Sequence, residues 1–293
     1  MPAARTGVLE IAYESGGPAN GDPLMLLHGW PDDVRGWRRS AELLQARGWR
    51  TVTPYLRGFG PTRFLADAAI RDGRGVALAQ DAIDLADALG LQTFAVAGHD
   101  WGARAAYTLA ALFPERVRAI AGIALAYQPR GAFSLPPFSQ ARRFWYQWFL
   151  ALDGGPSALR ADPKGFARIQ WDTWSPPGWF DEAEFDATAR SFENPDWAAV
   201  TLHGYRSRWR PELLDPRYNA LQDRLAEIAT LSTATLMIQG MADQCDEPAS
   251  SEGLDRYFTG PYHRILLDGI GHFPTREAPE AVAEAVDRHL RHA

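Results

Sequence analysis

The sequence predicts an α/β protein with a mostly parallel central sheet flanked by helices and one inserted helical segment. Three observations carry this. Short, fully apolar runs alternate with helix-period stretches, as in buried parallel strands joined by crossover helices. One such strand, residues 93–97, leads through Val96-Ala97-Gly98-His99-Asp100-Trp101-Gly102 directly into a helix at 103–113, so the chain turns sharply at Asp100. From about residue 128 to 211 the strand runs stop, and seven of the eleven tryptophans fall there: Trp145, Trp148, Trp171, Trp174, Trp179, Trp197 and Trp209.

The elements follow in order. Residues 8–13 read as an edge strand. Pro23-Leu24-Met25-Leu26-Leu27 is a buried strand that ends in His28-Gly29-Trp30-Pro31, where Gly29 permits an unusual backbone angle and Trp30-Pro31 is a candidate cis bond. A helix at 35–47 stops at Gly48. A strand at 50–54 enters the loop Leu56-Arg57-Gly58-Phe59-Gly60. A helix at 76–89 ends at Gly90, and the sharp turn at Asp100 and a strand at 119–125 follow. The helical insert is punctuated by Pro136-Pro137 and Pro176-Pro177. Strand character returns at Thr235-Leu236-Met237-Ile238-Gln239 and at Arg264-Ile265-Leu266-Leu267, before a closing helix at 278–290. The domain expectation is a core of 1–127 with 212–293, and a helical cap (lid) of 128–211 inserted between core strands.

Composition bounds the function. With 293 residues the chain can bury a substantial core. A hydrophobic content of 46%, a charged content of 23% and a net charge of −6 suit an ordinary globular enzyme and argue against a nucleic-acid partner. The single cysteine, Cys245, allows no intrachain disulfide. Neither a signal peptide nor a membrane-spanning run is read, so the expected location is cytoplasmic, as a monomer or homodimer. No metal-binding spacing or dinucleotide fingerprint occurs, and no cofactor is expected.

The motifs carry the chemistry. G-x-D-x-G between a strand and a helix matches a nucleophile elbow with Asp100 where Ser is commoner. A carboxylate attacks ester carbonyls poorly but displaces leaving groups from sp³ carbon, leaving an alkyl ester on the protein. Asp243 lies just past the strand that precedes it and is the candidate orienting acid, with Asp246 and Glu247 as rivals. His272 lies in the Gly-rich loop Asp268-Gly269-Ile270-Gly271-His272-Phe273-Pro274. The order nucleophile, acid, histidine argues against a binding module that has lost its chemistry. An ordinary esterase is the least suited reading, given the Asp.

Together, H-G-W-P, G-H-D-W-G, the late acid and G-x-G-H-F-P resemble the α/β-hydrolase-fold epoxide hydrolases, relatives of the haloalkane and fluoroacetate dehalogenases. The resemblance spans essentially the whole chain. It implies that the backbone N–H groups of Trp30 and Trp101 form an oxyanion hole. It implies two cap tyrosines that hold the epoxide oxygen and act as acids: Tyr146, in Phe144-Trp145-Tyr146-Gln147-Trp148-Phe149, and Tyr205, in His203-Gly204-Tyr205-Arg206, with Tyr107 and Tyr127 as spares. It places His28, Trp145 and Trp148 among the substrate-binding candidates, for a small apolar epoxide substrate and water. The alternative is a haloalkane or haloacid dehalogenase using the same Asp nucleophile. Fluoroacetate dehalogenases resemble G-H-D-R-G-x-R, where two arginines clamp the substrate carboxylate; this chain keeps Arg104 but has Trp101 in place of the first arginine, and half a clamp argues against a carboxylate substrate.

Overall fold

The computed structural model describes residues 1–292. The chain begins with β1 (Ala3–Arg5), β2 (Leu9–Gly16) and β3 (Asp22–Leu27), then α1 (Arg38–Ala46), β4 (Trp49–Pro54), the two-residue β5 (Arg63–Phe64) and α2 (Gly75–Ala88). Next come β6 (Phe94–His99), α3 (Trp101–Leu112) and β7 (Val117–Ile123). The strands form one sheet in the order β1-β2-β4-β3-β6-β7-β8-β9, with β5 on β2. β8 (Ala234–Gly240) and β9 (Tyr262–Leu267) complete it, and α11 (Pro274–Glu277) and α12 (Pro279–Arg291) follow.

The ladders from β4 through β3, β6, β7 and β8 to β9 are all parallel, and β1, β2 and β5 are antiparallel. β3, β6 and β8 are almost continuously buried, which is why they read as unbroken apolar runs. The order reverses at β3, beside β6, so the carboxyl ends of the central strands open on a crevice where α/β sheets place their ligands. One expectation is revised: the strand near residues 8–13 is not the edge. β1 pairs outside it, Ala3 opposite Ala12, in a stretch too short and polar to show a period.

Between β7 and β8 the chain is helical. α4 (Phe138–Arg143), α5 (Trp145–Ala151), α6 (Gly155–Ala161), α7 (Pro163–Thr173), α8 (Glu182–Ala189) and α9 (Trp197–Arg206) precede α10 (Asn219–Glu227). Their tryptophans tie them to the core loops. The Trp171 indole donates to the Pro31 carbonyl at 2.8 Å, and the Trp30 indole donates to Thr201 Oγ1 at 2.9 Å. A buried Trp or Tyr needs such a partner for its polar end.

Candidate active site

The elbow is explained by its neighbours. Asp100 stands between β6 and α3 with φ 49°, a left-handed conformation that costs a side-chain-bearing residue free energy and lifts it out of the strand. The flanking glycines are required by close approach. A Cβ on Gly98 would come 2.1 Å from the Gly102 carbonyl oxygen, and one on Gly102 would come 2.1 Å from that of Leu27. Gly29 serves the same purpose. Its φ is not left-handed; a Cβ there would lie 2.7 Å from Asp100 Cβ. Close approach, rather than an unusual angle, is what this position needs. The Trp30–Pro31 bond is cis, and the Trp30 N–H donates to Asp100 Oδ1 at 2.8 Å. The Trp101 N–H opens α3 and belongs to the first turn, whose donors lack intrahelical acceptors.

His272 faces the elbow from the β9–α11 loop. Its Nδ1 donates to Asp243 Oδ2 at 2.8 Å, while Nε2 has no protein partner and lies 3.8 Å from Asp100 Oδ2. Asp243 is fixed in turn: Oδ1 accepts the N–H groups of Cys245 (2.7 Å) and Asp246 (2.9 Å), and Oδ2 accepts from Gln239 Nε2 at 2.9 Å. All three groups are buried. Burial alone lowers an imidazole pKa, but the Asp243 carboxylate, with Asp100, holds His272 well above its usual value. Burial raises Asp100, yet His272 brings its carboxyl below the ordinary range.

Two phenols close the other side. The Tyr205 oxygen accepts from Trp101 Nε1 at 3.1 Å, and the Tyr146 oxygen accepts from Gln147 Nε2 at 3.0 Å. The two rings meet edge to face, 5.3 Å between centroids. Trp30 stacks on Tyr146 at 5.6 Å and meets Tyr205 edge-on at 5.3 Å. Burial raises both phenol pKa values, so the rings are neutral proton carriers at ordinary pH. The structure therefore brings together Asp100, Asp243, His272, Tyr146, Tyr205, Trp30 and Trp101.

Three expected substrate contacts lie elsewhere. His28 is buried with both ring nitrogens bound to backbone: Nδ1 to the Gly29 carbonyl at 2.9 Å, and Nε2 to the Leu56 N–H at 3.0 Å. It joins two loops rather than facing the nucleophile. Trp148 donates to the Ala141 carbonyl and packs on Trp209 and Phe133. Trp145 packs on Phe149 and Phe166 and is 37% exposed. Both occupy helix positions that differ from that of Tyr146, and a helix turns neighbouring side chains about 100° apart. The spare phenol Tyr107 donates to Met237 Sδ and packs on Tyr127, so neither spare joins the pair. Neither rival acid bonds His272: the Asp246 carboxylate receives the Ala126 N–H, and Glu247 pairs with Arg143.

Other residues complete the site without a motif to announce them. Trp174 lies edge-on to the His272 ring at 4.8 Å. Glu277 accepts the N–H groups of Gly271 and Phe273, while the His272 N–H donates to Ser175 Oγ, which donates to Glu277. Only the fold joins Ser175, in the insert, to this loop. Among the described residues no cluster of His, Cys, Asp or Glu is arranged to hold a metal ion, and no helix is long and apolar enough to cross a membrane.

A buried carboxylate on a strand–helix turn, served by a histidine–aspartate pair above a parallel sheet, defines the class: the chain belongs to the α/β hydrolase fold family, which it matches over residues 22–279. It is 26% identical to epoxide hydrolase A of Mycobacterium tuberculosis (strain ATCC 25618 / H37Rv), over 96% of this chain and 93% of the relative. It is 36% identical to a protein of Klebsiella pneumoniae subsp. pneumoniae MGH 78578, provisionally named an epoxide hydrolase. That crystal structure superposes with a TM-score of 0.90, covering 99% of this chain and 97% of the other. Epoxide hydrolase A of Mycobacterium thermoresistibile is 25% identical with a TM-score of 0.77, covering 99% and 97%.

Proposed function

We propose that the protein is an epoxide hydrolase that opens an oxirane to a vicinal diol through an ester on Asp100. The observation that carries this is the pairing of a carboxylate nucleophile with two buried phenols on the opposite wall. Trp30 holds Asp100 Oδ1, which leaves Oδ2 to attack the oxirane carbon. Tyr146 and Tyr205 bind the ring oxygen and donate a proton as the C–O bond breaks. The product is an uncharged ester.

That loss of charge prepares the second step. Asp100 is one of the charges that raise the His272 pKa. Once it is esterified, His272 releases its proton more readily, and that proton restores the phenol that gave its own to the ring oxygen. The neutral imidazole then takes a proton from water through Nε2, and the water attacks the Asp100 carbonyl carbon. Asp243 orients the ring and stabilises the imidazolium. The oxyanion forms on Oδ1, beside the Trp30 N–H, with the Trp101 N–H as second donor, each worth roughly 3 kcal/mol. As it collapses the Cγ–Oδ2 bond breaks, and the departing diol oxygen takes the proton from His272.

The epoxide-hydrolase relatives support this reading over a dehalogenase, which has no use for two phenolic acids. In the same proposal, residues 1–127 and 212–293 form the catalytic core, residues 128–211 form the cap, and the enzyme acts in the cytoplasm. The test is His272→Gln with a reactive epoxide such as styrene oxide. Intact-mass spectrometry is expected to show a stable increment equal to the substrate, mapping to Asp100. A folded variant that forms no adduct overturns the covalent route.

A further inference from the structure

A cavity of about 430 Å³ lies between α3 and the end of α9, lined by the neighbours of Asp100 and Tyr205 on those two helices. Gly204 and Arg208 form part of one wall, and Arg104 and Tyr107 part of the other. Gly204 also touches the site: a Cβ there would lie 2.8 Å from the Trp101 indole, one residue from Asp100. In a chain of net charge −6, three arginines line this space and no Asp or Glu does. The Arg74 charge is matched by Asp72 at 2.7 Å. Arg104 and Arg208 have no acidic partner among the described residues, although most buried charges elsewhere are paired.

The positions of these two arginines relate to the chemistry. The Arg104 N–H donates to the Asp100 carbonyl at 3.0 Å, so Arg104 lies one turn, about 5.4 Å, along α3 from the nucleophile. Arg208 follows Tyr205 by three residues, and its guanidinium lies 5.7 Å from the Tyr205 ring centroid. Nucleophile and acid thus each have a cation one turn away, and both cations line the same cavity. Arg208 is also held in place by a hydrogen bond to Gln147 Oε1, which fixes the guanidinium before anything binds. Desolvation, with the like charge of Arg104, pushes Arg208 down to about 10.

We propose that Arg104 and Arg208 form an anion subsite, and that the preferred substrate is an epoxide bearing a carboxylate one helical turn away from the oxirane. Planar guanidinium forks suit a carboxylate. Other residues lining the cavity, among them Leu125, Phe133, Leu214 and Leu225, suit the apolar spacer between the two groups. This inference rests on the epoxide-hydrolase reading. It also reverses the sequence expectation against a carboxylate substrate, because Arg208, from the helical insert, supplies a second arginine that the elbow motif lacks.

The test compares four epoxides: styrene oxide, its para-carboxylate, its para-phosphonate and its neutral para-carboxamide. The wild type is expected to prefer the acid over the amide by 10-fold or more in kcat/KM, and added salt should erode that preference. Arg104→Gln should remove most of the preference, lowering kcat/KM for the acid at least 5-fold more than for the amide. In the Asp100→Asn protein, calorimetry should show the diol acid binding more tightly than the diol amide, and Arg208→Gln should abolish the difference. Equal turnover of acid and amide by an enzyme active on styrene oxide overturns the subsite. Stronger preference for a phosphonate tail overturns the assignment to carboxylate. Failure to act on styrene oxide, with no ester on Asp100, instead overturns the catalytic reading beneath it.

Discussion

Asp246 shows how much a single buried carboxyl can decide. It sits beside Asp243 but is pushed up to about 7, first by burial and then by the neighbouring charge. Its folded pKa exceeds the unfolded value, so the native state holds the extra proton and stability falls as pH rises from about 4 through 7. Asp246→Asn should therefore raise the melting temperature by about 2 to 5 °C at pH 8 and change it little at pH 4. A uniform shift at both pH values would show that the residue acts through packing. Burial likewise keeps the two phenols protonated. Tyr146→Phe and Tyr205→Phe should each slow ester formation by about 10- to 100-fold, and the double variant should nearly abolish it. Because Asp100 is held below its usual pKa and both phenols above theirs, the rate of ester formation should stay flat from about pH 5 to 9. A basic limb inside that window would point to a different acid.

At the scale of elements, the chemistry depends on loops whose shape is set by what packs behind them. The β9–α11 loop is the clearest case. Glu277 accepts two N–H groups on either side of His272 and the hydroxyl of Ser175, which accepts the His272 N–H itself. Glu277→Gln removes the charge and turns one acceptor into a donor facing N–H groups. Hydrolysis of the ester should slow by about 10-fold or more while its formation stays near normal, read as ester accumulation in stopped-flow mass spectrometry. Equal loss of both steps would mean a folding defect instead. The same loop shows what the sequence reveals. Its apolar strand, glycines and lone histidine were legible, as were the elbow and H-G-W-P, because each is local. Ser175, Gln147 and Trp174 were not, because their partners are 97 or more residues away, or, for Gln147, only a helix face decides. His28, Trp145 and Trp148 misled for the same reason: aromatic content is visible in a sequence, but the direction a ring faces is not. β1 and β5, of three and two residues, are too short to carry any period.

At the scale of the molecule, one buried cation adds a three-way tie between insert and core. Arg276, in α11 just past His272, donates to Asp32 at 2.6 Å, to Thr188 at 3.0 Å and to Glu184 on α8. Asp32 follows the cis Trp30–Pro31 bond, so a single guanidinium joins the Trp30–Pro31 loop, the His272 loop and the helical insert. Its side chain is 4% exposed and that of Asp32 1%. Burial raises the cost of the Asp32 charge, and Arg276 offsets it enough to hold the carboxyl below its ordinary pKa. Replacing an arginine by methionine at such a place leaves a buried charge without a partner, a loss of about 3 kcal/mol or more. Arg276→Met should lower the melting temperature by roughly 6 °C or more. Adding Asp32→Asn should return part of that, since no uncompensated carboxylate remains, whereas two unrelated defects would add. Hydrogen exchange separates a local lock from general instability. If Arg276 fastens α8 to the core, amides of 182–193 should lose protection first, while β6 and β7 stay protected under native conditions. Even loss across the sheet would show that Arg276 supports the whole core rather than closing the insert over Asp100.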